Sequence, residues 1–276
     1  MDKLFDYDVI LGLEATENKG LVILEATEPG NIKKTYVGKC MRKAAVSPEA
    51  LQKFRKEADI LDSVKNGPFI IKMLSLQENE EYILLVFDML PTQDLHSLKQ
   101  IKVFTEREIK FLATEIIIGI EFLHNTGIVH RAIAPNHIGV DKEGHVAIFG
   151  FSLSEYFELE GGKLSRICGV PNFMAPEIKR KQGYDETVDW WSFAATLYYL
   201  LKGEPPSWDD DGNLILQPIL FDPSEELVDL LKSLLVSNPT RRLGAEGSYE
   251  IKHHAFFFTV DWEDVRFKKV TPPALL

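Results

Sequence analysis

Thiols are scarce in this sequence: of 276 residues two are cysteine, Cys40 and Cys168. Two thiols with no repeated spacing exclude a disulfide framework and a zinc knuckle. They fit a reducing compartment, so a cytoplasmic location is expected. Long hydrophobic runs are missing as well. None reaches the roughly 18 residues that a membrane span needs, and Met1-Asp2-Lys3-Leu4-Phe5 is not the apolar stretch of a signal peptide. There is no internal repeat and no low-complexity tract. Basic residues are in deficit, 31 against 42 acidic, for a formal net charge of −11. That balance argues against nucleic acid or an anionic membrane as partner, because both attract basic surfaces. Hydrophobic residues are plentiful at 45%, enough to bury a full-sized core.

The first part of the chain reads as strands. Segments near 7–13, 20–27 and 34–42 alternate or run apolar, with Pro29-Gly30-Asn31 as a turn between the last two. Ser47 and Pro48 open a helix in which Leu51, Phe54, Ala58 and Leu61 recur at helical spacing. Two further strands, 70–76 and 82–89, turn at Glu78-Asn79-Glu80, which makes five strands and one helix. After Leu90-Pro91 the pattern becomes helical. Thr105-Glu106-Arg107-Glu108 is a capping box, and Gly127 ends the helix it starts. Short strands near 128–130, 137–141 and 145–149 follow. Residues 187–201 are apolar on nearly every side, as in a helix buried all round, and 225–236 is amphipathic. The expected fold class is α+β: a small β-rich lobe of about 1–90, then a larger helical lobe of about 91–276.

Several motifs then appear in order. His130-Arg131-Ala132-Ile133-Ala134-Pro135-Asn136-His137 resembles the protein-kinase catalytic loop, H-R-D-L-x-x-x-N. Gly150-Phe151-Ser152 stands where D-F-G would, Met174-Ala175-Pro176-Glu177 matches A-P-E, and Lys39 with Glu57 on the next helix matches the V-A-I-K lysine and its glutamate. Cys168-Gly169-Val170-Pro171, Pro239-Thr240-Arg241-Arg242-Leu243-Gly244 and Lys269-Val270-Thr271-Pro272-Pro273 are similar to the AGC group, which includes cyclic-AMP-dependent and ribosomal-protein kinases. The resemblance covers essentially the whole chain and implies one bilobal kinase-like domain, 1–276, ending in the start of an AGC-type tail. Segment 203–223 is shorter than the family's, so a helix is expected to be missing there. The tail's aromatic docking motif is not in the sequence.

The departures from the family's pattern fall on its chemistry. Ala132 stands for the catalytic Asp, Ala134 for the catalytic-loop Lys, His137 for the metal-binding Asn and Gly150 for the metal-binding Asp. No catalytic residue and no metal site are therefore expected, and His137 is read as a solvated loop residue. The resemblance makes Gly12, Gly20, Val22, Val37, Lys39 and Glu57 a vestigial nucleotide site. Its loop carries Glu14 and Glu17, which repel phosphate. Val37 and Phe149 crowd the adenine position, whereas Gly139, where a leucine is usual, opens space. Arg166 replaces the phosphorylated threonine of AGC relatives and is expected to face Arg131 with like charge. Asp94 is read as a surface charge.

What the resemblance keeps is the skeleton: Leu61, Met73, His130, Phe151 and Asp189 match a stack through the core, Arg131 belongs to the same loop, and Glu177 with Arg242 matches a buried ion pair. The reading implied is a pseudokinase acting as an interaction or allosteric module, with a protein partner such as an active kinase and no cofactor. The alternatives are a nucleotide-binding switch, to which ATP and Mg²⁺ would belong, and a divergent ATP-dependent Ser/Thr kinase in which Glu14, Glu17, Glu155 or Glu158 replaces a lost carboxylate.

Overall fold

Apolar alternation followed by turn residues produces the opening hairpins. The computed structural model describes residues 3–4, 7–16, 19–28, 32–88, 91, 93–157, 162–208, 214–215 and 223–275. The chain separates into two compact units, one of Met1–Asn66 and Ile71–Leu90, the other of Gly67–Ile70 and Pro91–Leu276. The expected turn at Pro29-Gly30-Asn31 lies outside the described residues.

Among its described residues the first unit is an antiparallel sheet with one α-helix and a short 3-10 turn at Lys43–Ala45. Its strands are β1 (Lys3–Leu4), β2 (Tyr7–Thr16), β3 (Lys19–Glu28), β4 (Ile32–Arg42), β5 (Met73–Glu78) and β6 (Tyr82–Phe87), in the order β1-β2-β3-β4-β6-β5. This is one strand more than the sequence suggests. Lys3 and Leu4 pair with Asp8 and Tyr7, and a two-residue strand is too short to carry a period. Helix α1 (Pro48–Ser63) starts where expected: Ser47 Oγ accepts the Ala50 N–H at 3.2 Å, and Pro48 needs no amide bond at the first position. It buries Phe54, Glu57, Ala58, Ile60 and Leu61. A cluster of Leu24, Tyr36, Leu84 and Val86 packs on another part of the sheet, with Cys40 and Tyr82 against it.

The second unit is mainly helical. It contains β7 (Gln93–Asp94), α2 (Leu95–Ile101), α3 (Glu106–Asn125), β8 (Ile128–Val129), β9 (Ile138–Val140), β10 (Val146–Ile148), β11 (Glu155–Tyr156), α4 (Pro176–Lys179), α5 (Thr187–Lys202), β12 (Ser207–Trp208), β13 (Leu214–Ile215), α6 (Glu225–Leu234), α7 (Ser248–Lys252) and α8 (Trp262–Arg266). Helix α3 opens with the full capping box: Thr105 Oγ1 accepts the Glu108 N–H, and Glu108 Oε2 accepts the Thr105 N–H at 2.8 Å. Helix α5 buries every residue from Thr187 to Leu201, and Gly203 closes it at φ 91°. Within 203–223 the described residues include the pair β12–β13; the missing helix expected there falls largely outside them. Among the described residues no helix is long and apolar enough to cross a membrane.

Candidate functional site

The loop 130–137 runs from β8 to β9 and is held by its backbone. Asp189, fully buried in the first turn of α5, accepts the His130 N–H on Oδ2 and the Arg131 N–H on Oδ1, each at 2.8 Å. His124 Nε2 lies 3.0 Å from the same carboxylate. None of these bonds depends on the side chains that follow. His130 Nδ1 accepts the Ala132 N–H at 3.3 Å, and Nε2 donates to the Phe149 carbonyl at 3.1 Å, so the ring is neutral and fixed in one tautomer. Phe151 packs edge-on to it, centroids 4.8 Å apart. Ala132 and Ala134 are buried and present methyl groups only.

His137 corrects the expectation of a solvated side chain. It is half-buried, its Nδ1 donates to the Ala132 carbonyl at 2.8 Å, and its ring stands edge-on to Phe149 at 6.1 Å. Gly150 follows with φ 84° and ψ 44°, in the left-handed region. Gly139 corrects a second expectation. It opens no space, because a Cβ there would lie 2.2 Å from Cβ of Pro91. The proline has taken the room that the missing side chain leaves.

The described stretches 150–157 and 162–175 are fastened through Arg131. The guanidinium donates from Nε to the Leu153 carbonyl at 2.6 Å and from Nη1 to the Tyr184 hydroxyl at 3.2 Å, and Nη2 is 3.6 Å from the Glu155 carboxylate. Tyr184 donates in turn to the Arg166 carbonyl at 2.6 Å, and Cys168 Sγ is 3.8 Å from the same hydroxyl. Burial pushes the Tyr184 hydroxyl up to about 12 against the pull of Arg131, so it stays protonated and able to donate. Arg131 has Glu155 as a counter-charge, and Arg166 joins this network through its backbone carbonyl. Of the spare carboxylates, Glu155 lies beside Arg131, and Glu158 lies outside the described residues. Asp94 is more than a surface charge: its Oδ1 accepts the Ser97 N–H at 2.6 Å and caps α2.

In the first unit, Lys39 on β4 places Nζ 2.7 Å from both carboxylate oxygens of Glu57 on α1, with Glu57 6% exposed. Gly12 pairs with Val22 and Gly20 with Cys40; the β2–β3 ladder shifts register between Val9 and Leu11 and again between Leu13 and Thr16, on either side of Gly12. Val37 lies opposite Ile23 on one side and Phe87 on the other. Glu14 belongs to β2, and Glu17 lies outside the described residues. Leu61 and Met73 are buried in this unit; His130, Phe151 and Asp189 are buried in the other.

Glu177 and Arg242 meet deep in the second unit. The guanidinium donates to both carboxylate oxygens, at 2.7 and 3.0 Å, and its remaining N–H groups reach the carbonyls of Thr187 and Val236. Its plane also lies over Trp191, 5.2 Å from the ring centroid. Both partners are 1% exposed, and a buried charge pair with every donor satisfied is what makes such burial tolerable.

These loops, pairs and helices come in a recognisable order, and the protein kinase domain family model matches residues 26–257. The chain belongs to the protein kinase domain family. It is 33% identical over 279 residues to ribosomal protein S6 kinase alpha-1 of Rattus norvegicus, an alignment covering 98% of this chain and 38% of that protein. Against ribosomal protein S6 kinase alpha-6 of Mus musculus it is 33% identical over 277 residues, covering 98% and 36%. Against ribosomal protein S6 kinase alpha-2 of Homo sapiens it is 35% identical over 248 residues, covering 86% and 34%. The chain therefore spans about a third of the length of these relatives.

Kinase-family domains hold Mg²⁺ through the Asp of D-F-G and the Asn of the catalytic loop. The residues of this domain do not fit that ion. Gly150 has no side chain, and the Nδ1 of His137 is spent on a carbonyl. Mg²⁺ is a hard cation that demands oxygen ligands in near-octahedral geometry. Among the described residues no group of three or more His, Cys, Asp or Glu side chains is placed to hold a metal. Three residues that shape this site escaped the sequence reading: Tyr184, which no motif marks; Glu155, noticed only as a spare carboxylate; and Pro91, noticed only as a break between lobes.

Proposed function

We propose that this kinase-family domain is a pseudokinase, a non-catalytic member that acts as an interaction or allosteric module on a protein partner such as an active kinase. The observation that carries this reading is Ala132, buried where H-R-D-L-x-x-x-N requires the carboxylate that orients the attacking hydroxyl. Loss of a positioned base alone slows proton-transfer chemistry about 10²–10⁴-fold. Ala134 and His137 in the same loop, and Gly150 after β10, stand where the motif has the rest of its polar apparatus. The relatives bear the names of kinases, and it is at these four positions that the chain departs from the motif those names imply. The reading includes one domain over 1–276, no cofactor, and a cytoplasmic location in keeping with two free thiols.

A nucleotide-binding switch is favoured by one observation, the retention of Lys39. Both oxygens of Glu57 engage that ammonium, and this is the pair that ATP-using kinases also keep, so it fits this alternative as well. ATP and Mg²⁺ belong only to this alternative or to a divergent Ser/Thr kinase.

The test is incubation with labelled ATP and generic peptides in Mg²⁺ or Mn²⁺. The expected incorporation equals that of a blank. Incorporation that disappears in Lys39→Ala would overturn the non-catalytic reading, and incorporation that persists in it would come from a contaminant.

A further inference from the structure

We infer that His137 and Gly150 form one co-adapted pair, in which the imidazole fills the volume where a metal-binding carboxylate would begin and so closes that position to a divalent cation. A Cβ built on Gly150 would lie 2.7 Å from Cδ2, 2.8 Å from Cγ and 3.2 Å from Nε2 of His137. Real Cβ atoms essentially never come within 3.0 Å of a non-bonded heavy atom elsewhere in the chain, so something has to move. The backbone alone is not the obstacle, since the left-handed conformation at φ 84° is one that Asp and Asn visit. The obstacle is the ring.

The ring is not free to swing away. Nδ1 donates to the Ala132 carbonyl at 2.8 Å, the His137 carbonyl accepts the Phe149 N–H at 2.9 Å, and the His137 N–H donates to the Ala134 carbonyl at 2.9 Å. Phe149 and His130 stand at 6.1 and 6.5 Å from it, centroid to centroid. Moving the imidazole would break the bond to Ala132 and open the contact with Phe149. The three distances put that Cβ against the face of the imidazole, over its Cγ–Cδ2 bond, so a carboxylate carried on it would begin inside the ring's contact volume. Each departure thus protects the other: glycine is needed because the ring is there, and the ring has room because glycine is there. Restoring either residue alone does not recreate the oxygen-lined site that Mg²⁺ requires.

The inference deepens the non-catalytic reading and rests on the same loop, but it is tested separately, by a stability cycle and a metal titration. Gly150→Ala adds only the offending Cβ, and His137→Ala removes the ring. Gly150→Ala alone is expected to lower the melting temperature by several degrees. In the His137→Ala background the same change is expected to cost less than half as much, leaving the strain of a left-handed alanine. Equal drops in both backgrounds would overturn the pairing while leaving any absence of phosphoryl transfer in place. If Gly150→Ala does not fold in the natural background yet folds in His137→Ala, the pairing is upheld by that rescue. In the second arm, Mn²⁺ alone is titrated into the unsubstituted chain and followed by water-proton relaxation. No His137-dependent binding is expected. Binding that vanishes in His137→Ala would make the imidazole a ligand and overturn the inference, whatever the transfer assay reports.

Discussion

His130 shows how much a single buried ring can bind to pH. Its pKa is pushed down to about 4, chiefly by burial, with Asp189 opposing. An unfolded chain protonates a histidine near about 6.5. As the pH falls below that value the unfolded state takes up a proton that the native state refuses, so stability is lost until the native ring titrates near 4. This amounts to about 3 kcal/mol across the window. Phe in place of His130 has nothing to titrate, so its melting temperature is expected to fall less steeply over the same range; parallel profiles would refute the assignment. Glu177 is the second residue on which stability turns. Removing it leaves the Arg242 guanidinium buried without its carboxylate, at a cost of about 3–5 kcal/mol, out of a total of roughly 5–15 kcal/mol. Glu177→Ala is expected to unfold near ambient temperature or to melt many degrees lower. A melting point within a degree or two of the unsubstituted protein would sink that expectation. Residues of this kind are legible in the sequence because motif and spacing name both partners. The fit of His137 against Gly150 and of Pro91 against Gly139 is not legible there: each depends on which way a side chain fills space, and no spacing rule carries that.

At the scale of elements, the described stretches 150–157 and 162–175 carry their own fastening. Arg131, Tyr184 and Glu155 tie them through the carbonyls of Leu153 and Arg166 with no added phosphate. Hydrogen–deuterium exchange on unphosphorylated protein should find residues 164–170 protected. In Tyr184→Phe, which removes one bond to a charged group and one to a carbonyl, exchange there is expected to quicken roughly ten- to a hundred-fold, as losing about 1.5–3 kcal/mol of local hydrogen bonding requires. Unchanged exchange would show that the tyrosine does not fasten the segment. The helices themselves follow signals a reader can find in the sequence: Ser47-Pro48, the box at Thr105–Glu108, and the unbroken apolar run that becomes α5. Strand content was harder to read. Lys3–Leu4 is defined only by its partner, and Ile70 and Ile71, read as part of a strand, precede β5, which begins at Met73.

For the molecule as a whole, the question is whether it senses nucleotide. A ligand bound only by the native state adds about 2.7 kcal/mol at a hundred times its Kd. For a chain of this size each kcal/mol moves the melting temperature by about 2–4 °C. ATP with Mg²⁺ is expected to leave the melting curve where it is, because His137 closes the metal position and Gly150 offers no carboxylate there. A reproducible upward shift that Lys39→Ala abolishes would establish the nucleotide switch in place of the module proposed above. The α+β architecture follows from the order of strand and helix signals alone, and the family motifs follow from their spacing. What a partner would recognise does not, since no residue pattern here names one. Asp189 holds the loop 130–137 by two main-chain amides, and its hydrogen bonds use none of the side chains at 132, 134 or 137. Shape and chemistry in such a loop are therefore inherited through different letters of the gene. A lineage can erase the second while copying the first faithfully, and a search that scores both together will mistake a preserved outline for a preserved reaction.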